Sequence, residues 1–312
     1  NNVEEIKKIV TPYNIPLIIN SIEEVFSISI DDKSNVSDIL SIKSNGRYLN
    51  CDNRKELIIT SDNNIDNKTA IKELFDSTPL LADKECLLNN LRLVLLNYIA
   101  KKSNYPVLCL GDSSTKTAID VISYTCKGRG SSLPLDTGSE SEIIDGVVMI
   151  KPGKTLLKPE FIQYNKYFGL SAISDKEISA TDISKSIDLI SAGFIDDLQK
   201  NFPSTVTTVV STANKLSMDK DNYSQYQCSL CLCPIRKDSE KWYASKSITE
   251  IKDINDYNYD HTEVYQHIQP YYKYLCFNCQ ILMDSFKPQD NQILYLPSYV
   301  ANKINQYQST SS

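Results

Sequence analysis

The sequence predicts an α/β fold, a parallel sheet with flanking helices, followed by a small zinc-binding C-terminal region. Short apolar runs alternate with amphipathic stretches along the first two thirds of the chain. Two C-x-x-C pairs follow at 228–231 and 276–279, and the only tryptophan, Trp242, lies between them. Because the composition changes near residue 217, we place an α/β domain at residues 1–216 and the zinc-binding region at 217–312.

The bulk composition excludes several classes of protein. The chain has 312 residues and 41% hydrophobic residues, enough for a sizeable core, while no apolar run is long enough to span a bilayer. With a net charge of −6, the chain as a whole does not attract nucleic acid. Nine cysteines, four of them in two pairs, suit a metal site in a reducing compartment, which predicts a cytoplasmic protein.

The first elements are a helix and a strand. Residues 2–11 place Val3, Ile6 and Val10 on one helical face, and NIPLIIN at 14–20 has the composition of a buried strand. The opening residues resemble the middle of an amphipathic helix, so we expect the natural N-terminus to be missing. Residues 31–69 are rich in Asn, Asp and Ser and predict a polar insertion with weak strand signals at YLN and LIIT.

The rest of the α/β domain alternates helices and strands, which predicts a parallel sheet covered by helices. Residues 86–101 carry an apolar stripe opposite Arg92 and Asn97 and predict a core-facing helix. The stripe consists of Leu87, Leu88, Leu91, Val94, Leu95 and Tyr98. Strands are predicted at 106–111 and 147–150, and helices at 115–124, 156–168, 183–198 and 206–216.

The four paired cysteines, Cys228, Cys231, Cys276 and Cys279, predict a structural zinc site. Two residues between thiolates allow both sulfurs to reach one Zn²⁺ at about 2.3 Å in tetrahedral geometry. The gap between the pairs exceeds the usual ribbon spacing of about 15–20 residues, so we expect an inserted subdomain. Cys233 could replace Cys231 as a ligand, and redox thiols or unrelated core cysteines are the alternatives. The two histidines in the gap, His261 and His267, are interpreted as surface or packing residues.

Two other motifs lack the chemistry that they suggest. The LDTGS segment at 135–139 occurs once, whereas an aspartic protease needs two aspartates that share a proton, so we interpret it as a turn. The GRGSS segment at 128–132 lacks the P-loop pattern. Lys127 and Arg129 are interpreted either as contacts to RNA phosphate or as members of a solvated charged loop. With two histidines in the chain, most general-base chemistry is excluded.

Four segments resemble known families. GDSSTKTAIDVISYTCKGRG at 111–130 resembles the strand-end segment of tRNA-thiolating members of the PP-loop ATP pyrophosphatase (adenine nucleotide α-hydrolase) superfamily. STVTTVVSTANKLS at 204–217, followed by CSLC and by LCFNCQILM at 275–283, resembles the cytoplasmic tRNA 2-thiolation protein 2 family. The resemblance extends from the first helix to about residue 285.

The resemblance implies a role in making 2-thiouridine at the wobble position, U34, of cytosolic tRNAs for Lys, Glu and Gln. Members of this family are similar to a catalytic paralogue and pair with it as a heterodimer. The paralogue adenylates the uridine, and a thiocarboxylated ubiquitin-related modifier delivers the sulfur. No membrane is involved.

One departure from the family pattern predicts a degenerate nucleotide corner. The catalytic paralogue carries Gly-His-Asn and then two acidic residues, where this chain has Gly111, Asp112 and Ser113 and then Thr115 and Lys116. Because Mg²⁺ prefers carboxylate oxygens, this change removes the obvious metal anchor. Lys116 in the first turn also opposes the helix dipole unless an anion binds there.

The cysteines differ as well, so we predict no catalytic residue in this chain. Cys86 is out of register with the C-x-x-C-G pattern of the paralogue, and no cysteine follows Gly128 before Cys228. The favoured hypothesis is a non-catalytic subunit that contacts tRNA through Lys116, Lys127 and Arg129. One alternative is an active PP-loop sulfurtransferase, with its S-G-G-x-D-S phosphate loop before residue 1. Another is a zinc-ribbon interaction module.

Overall fold

The computed structural model describes most of the chain. The described ranges are 2–30, 58–60, 66–144, 146–173, 186–218, 222–241, 271–287 and 293–310. Trp242, His261, His267, the YLN signal and most of the predicted polar insertion lie outside these ranges.

Helices and short strands alternate through the described ranges. The helices are α1 Asn2–Val10, α2 Asn67–Asp76, α3 Leu81–Lys102, α4 Ser114–Cys126, α5 Leu133–Thr137, α6 Lys158–Tyr167, α7 Ile187–Asn201, α8 Thr205–Ala213, α9 Phe277–Ser285 and α10 Ser298–Thr310. The strands are β1 Ile58–Thr60, β2 Val107–Cys109, β3 Glu140–Ile144, β4 Val147–Ile150, β5 Tyr223–Gln227, β6 Pro234–Arg236 and β7 Ile293–Tyr295. The α/β class and the helices predicted within the described ranges are therefore confirmed.

Helix α3 is the centre of the core. Leu87, Leu91, Val94 and Leu95 are buried on one side of the helix, as predicted. Leu88, which the sequence places in the same stripe, is instead 41% exposed. Asn97, placed by the sequence opposite this stripe, is instead fully buried. Its amide nitrogen donates 2.9 Å to the Leu93 carbonyl, whereas its buried Oδ1 has no hydrogen-bond partner among the described residues.

The main sheet is mixed rather than parallel, which corrects the sequence prediction. Its order is β2-β4-β3, with β2 parallel and β3 antiparallel to β4. Only residues 145 and 146 connect β3 to β4, and Gly146 has φ of 82°. A connection this short permits a hairpin but not the crossover that parallel strands require. Strand β3 is not predicted from the sequence, because ESEII lacks a long apolar run.

The NIPLIIN segment is not a buried strand. The structure assigns no strand to residues 14–20, and their apolar side chains are exposed, with Ile15 at 61%. Among the described residues, no strand pairs with this segment and no helix covers it. An apolar composition alone is therefore not enough to bury it. No helix in the described ranges combines the length and the apolar character needed to cross a membrane.

Two packed clusters fill the interior. Ala118, Ile195, Val206 and Val210 bring α4, α7 and α8 together. The larger cluster joins α3 and the sheet to the cysteine region, and it includes Leu91 as well as residues near Cys279. One core thus contains residues from both sides of position 217, and the domain boundary there stays a prediction.

Candidate metal centre

The four paired cysteines are positioned by a hairpin turn and by a helix start. Cys228 and Cys231 lie in the turn between β5 and β6, where the Leu232 amide donates 2.8 Å to the Cys228 carbonyl. Leu232 itself has a positive φ of 62°, which tightens this turn. Cys276 is the residue before α9, and Cys279 lies in the first turn of that helix.

The geometry of these four thiols fits a tetrahedral metal ion. All four sulfurs lie within 4.8 Å of one another, and all four residues are buried. The Cys231 and Cys276 Sγ atoms are 3.7 Å apart. Metal–sulfur bonds of about 2.3 Å at tetrahedral angles imply sulfur separations of about 3.8 Å, whereas a disulfide brings its sulfurs to about 2.05 Å. The cluster can therefore hold a metal ion and is not a pair of disulfides.

The thiols influence one another strongly. The pKa of Cys231 lies well below its usual value, because hydrogen bonds from Cys228 and the neighbouring thiols stabilise its thiolate. The pKa values of Cys276 and Cys279 are raised well above normal, first by hydrogen bonding to Cys228 and further by burial. Deprotonation of a second thiol is therefore unfavourable in this buried cluster. A bound divalent cation would make it favourable, because the cation neutralises the negative charges of the thiolates.

Two further cysteines lie beside the cluster. Cys233, the alternative ligand, is not in the group of four and accepts a hydrogen bond of 3.0 Å from the Arg129 guanidinium. The Cys86 thiol donates 3.2 Å to Asn278, and burial raises its pKa. Asn90, which the sequence analysis did not identify, extends its amide toward the sulfurs of Cys86 and Cys279 at 3.7 and 4.0 Å. No local sequence signal distinguishes Asn90 from other helix residues.

The basic loop after α4 packs against the cysteine cluster instead of lying in solvent. Arg129 is buried and pairs with Asp136 through two hydrogen bonds of 2.6 and 2.9 Å. Lys127 is also buried and pairs with Asp188 at 2.6 Å. The interpretation as a solvated charged loop is therefore wrong, since both cations are neutralised within the chain.

The predicted RNA contacts differ in accessibility. The Lys116 side chain is 51% exposed and pairs with Asp120, whereas those of Lys127 and Arg129 are buried. RNA contact by these three residues stays a prediction. The LDTGS segment is interpreted as a turn, but its first three residues are the last three residues of the short helix α5. One of them, Asp136, is the buried partner of Arg129.

The segment predicted to be a degenerate nucleotide corner has the shape of a strand, a turn and a helix. Gly111 and Asp112 follow β2, and Ser113 caps α4 by accepting a hydrogen bond of 3.1 Å from the Lys116 amide. The Asp112 carboxylate pairs with Lys151 at 2.9 Å. The one acidic side chain in the turn is therefore already bound to a cation of this chain.

Comparisons with known proteins identify relatives of this chain. Residues 186–281 match the family model described as cytoplasmic tRNA 2-thiolation protein 2. The chain is 34% identical over 174 residues to cytoplasmic tRNA 2-thiolation protein 2-A of Xenopus laevis, covering 53% of this chain and 33% of that protein. The protein of that name from Homo sapiens is 33% identical over 176 residues, or 54% of this chain and 34% of its own length. The Danio rerio protein is 29% identical over 184 residues, which cover 56% of this chain and 37% of that protein.

These matches confirm the resemblance to this family that the sequence predicts, over about half of the chain. The aligned share is smaller than the expected extent from the first helix to about residue 285. The chain spans about a third of the length of the curated relatives that it matches. No solved structure matches it, and the assignment to the PP-loop superfamily stays a prediction.

Proposed function

We propose that this chain, related in sequence to the cytoplasmic tRNA 2-thiolation protein 2 family, works in the cytoplasmic 2-thiolation of tRNA wobble uridines. It acts there as a non-catalytic subunit of a heterodimer. The catalytic paralogue adenylates U34 of tRNAs for Lys, Glu and Gln, and a thiocarboxylated ubiquitin-related modifier supplies the sulfur. One observation carries this proposal. The matched region, residues 186–281, contains all four cysteines that converge in the core.

The chemistry of the corner supports a subunit without adenylating activity. An adenylating enzyme needs carboxylates that are free to bind Mg²⁺ beside the nucleotide. Asp112 is paired with Lys151, and Asp120 is paired with Lys116. Burial raises the pKa of Asp120, although the nearby charge of Lys116 lowers it in part. This buried carboxylate is therefore a poor ligand for a metal ion at the surface.

The four-cysteine cluster has a structural role in this proposal. Four buried sulfurs at tetrahedral spacing are typical of a closed zinc site, in which no coordination position remains for a substrate. Cys228 and Cys231 would hold the ion from the hairpin, and Cys276 and Cys279 would hold it from α9. When bound, zinc supplies folding energy by joining two segments that are far apart in the sequence.

The proposal is tested by mass spectrometry of wobble nucleosides in cells that lack this protein. We expect 2-thiouridine to be lost from tRNAs for Lys, Glu and Gln and to return when the wild-type gene is restored. A gene encoding Asp112→Asn should restore 2-thiolation as well, because Asp112 anchors no catalytic metal in a non-catalytic subunit. Unchanged 2-thiouridine in the deletion would refute the pathway. Failure of Asp112→Asn would refute the non-catalytic role if the variant protein accumulates to the wild-type level, since Asp112 also neutralises the buried Lys151.

A further inference from the structure

Asn90 is a buried polar residue whose side-chain orientation is fixed by its neighbours. It lies in α3 and is 4% exposed. Its Oδ1 accepts a hydrogen bond of 2.9 Å from the Arg129 guanidinium, which offers only donors. The amide nitrogen must therefore face the other way, where the sulfurs of Cys86 and Cys279 lie 3.7 and 4.0 Å from it. Among the described residues, these two sulfurs are the only acceptors for the N–H groups of Asn90.

Arg129 holds Asn90 in this orientation because its other donors are engaged as well. Two hydrogen bonds of 2.6 and 2.9 Å join the guanidinium to Asp136, and a third of 3.0 Å joins it to the Cys233 sulfur. The guanidinium is planar, so these bonds together fix its position. The amide is thus held from behind, and its two N–H groups stay directed at the cysteine cluster.

The same reasoning identifies Cys86 as a neutral thiol rather than a metal ligand. The Asn278 amide nitrogen donates 2.7 Å to the Lys127 carbonyl, which can only accept. The Oδ1 atom of Asn278 therefore faces Cys86 at 3.2 Å and receives its S–H proton. Cys86 also lies outside the group of four cysteines. Of the two sulfurs that Asn90 reaches, Cys279 is therefore the one that would bind a metal ion as a thiolate.

We propose that Asn90 is a positioning residue of the metal centre, which holds the Cys279 thiolate toward the ion and disperses part of its charge. This inference rests on the structural metal site of the proposed function. Four thiolates and one divalent cation carry a net charge of −2, which would be buried here. Hydrogen bonds to a charged acceptor are stronger than those to a neutral one, so the amide stabilises the thiolate more than the thiol. Asn90 thereby raises the affinity of the centre for its ion.

The test measures Co²⁺ binding by the purified full chain, because Co²⁺ absorbs light when thiolates coordinate it. Asn90→Leu removes both donors at a similar volume and should weaken Co²⁺ affinity, measured by competition with a chelator, by about tenfold or more. The thiolate-to-cobalt charge-transfer band should also move to longer wavelength, because a sulfur without a hydrogen bond gives up an electron more easily. A residue that acts only through packing would not shift this band.

Asn97→Leu is the matched control. Asn97 lies two turns later in α3, is buried as well, and directs its amide to the Met149 sulfur at 3.2 Å rather than to a cysteine. This variant should bind Co²⁺ with the affinity and the spectrum of the wild type. Cys86→Ser should do so too, because a hydroxyl can replace the thiol as the donor to Asn278.

A second variant keeps the test decisive if Asn90→Leu does not fold. Asn90→Asp retains the acceptor for Arg129, but the ionised carboxylate offers the sulfurs no donor, so Co²⁺ binding should weaken here as well. Wild-type affinity in the Asn90 variants, or equal losses in Asn90→Leu and Asn97→Leu, would overturn the role of Asn90. Loss of the ion from Cys86→Ser would overturn the assignment of Cys86.

These results are separable from the fate of the proposed function. A wild-type chain that binds no Co²⁺ would overturn the metal centre and this inference with it. Unchanged 2-thiouridine in the deletion cells would refute the pathway alone, because the effect of Asn90 on metal affinity is measured on the purified protein.

Discussion

Replacing Arg129 with methionine should destabilise the protein severely, because this cation neutralises a carboxylate inside the core. Arg129 is 5% exposed and makes two hydrogen bonds to Asp136, one to Asn90 and one to Cys233. Burial alone would lower its pKa, but the Asp136 carboxylate raises that pKa well above its ordinary value. Methionine fills a similar volume but leaves Asp136 buried without its cation. Losing one partner of such a pair costs about 3–5 kcal/mol.

The measurement is urea unfolding of metal-saturated protein, followed by circular dichroism, in a double-mutant cycle. Adding Asp136→Asn to Arg129→Met should recover much of the lost free energy of unfolding, because the uncompensated charge disappears. Lys200→Met, which breaks a pair whose two side chains are 72% and 77% exposed, is the control and should leave the free energy of unfolding nearly unchanged. If Arg129→Met costs less than about 1 kcal/mol while RNA affinity falls, the burial argument fails and Arg129 is an RNA contact.

Three further changes test other parts of the structure. Gly128→Ala should cost about 1–3 kcal/mol of unfolding free energy, since Gly128 has φ of 75° and a Cβ there would lie 2.8 Å from the Phe277 ring. Cys276→Ser should remove the bound metal, which elemental analysis of wild-type protein should find at about one ion per chain. Lys154→Met should change the pH dependence of stability, because burial and the charge of Lys151 lower the pKa of Lys154 below 10.5. At pH values between that lowered pKa and 10.5, Lys154 is protonated in the unfolded wild-type protein but mostly deprotonated in the folded one. The free energy of unfolding of the wild type should therefore rise with pH relative to that of the variant.

Two of these changes have a control in the chain, and the third has a result that would refute it. Gly130→Ala meets no atom within 4 Å and should be nearly neutral, so equal losses at 128 and 130 would contradict the steric argument. Cys109→Ser alters an exposed thiol and should leave the metal content unchanged. Retention of the ion by Cys276→Ser would show that this sulfur is not a ligand. For Lys154, unfolding curves that stay parallel across this pH range would refute the lowered pKa.

The elements that local pattern determines were predictable from the sequence. The stripe of α3 repeats at helical spacing, and two C-x-x-C pairs bring four sulfurs together, so both follow from residue order. The ion-pair partners of Arg129 and Lys127 could not be predicted from the sequence. Tertiary packing brings Asp136 to Arg129 and Asp188 to Lys127. A buried cation and a solvated cation look alike in a sequence.

The strand predictions failed where pairing decides the structure. An apolar run becomes a strand only if a neighbour completes its hydrogen bonds, and residues 14–20 lack one among the described residues. The mixed sheet was missed for the opposite reason. A polar segment, Glu140–Ile144, pairs because a two-residue connection returns it beside β4.

The position of α3 at the centre of the core has a consequence for biosynthesis. Part of its apolar face is covered by residues after 228, and Cys86 and Asn90 contact residues 278 and 279, about 190 positions later in the sequence. During translation this part of the face therefore emerges from the ribosome long before its cover. Contacts so distant in sequence make native assembly slow, so we expect this part of the face to be prone to aggregation until residues 228–286 have been made.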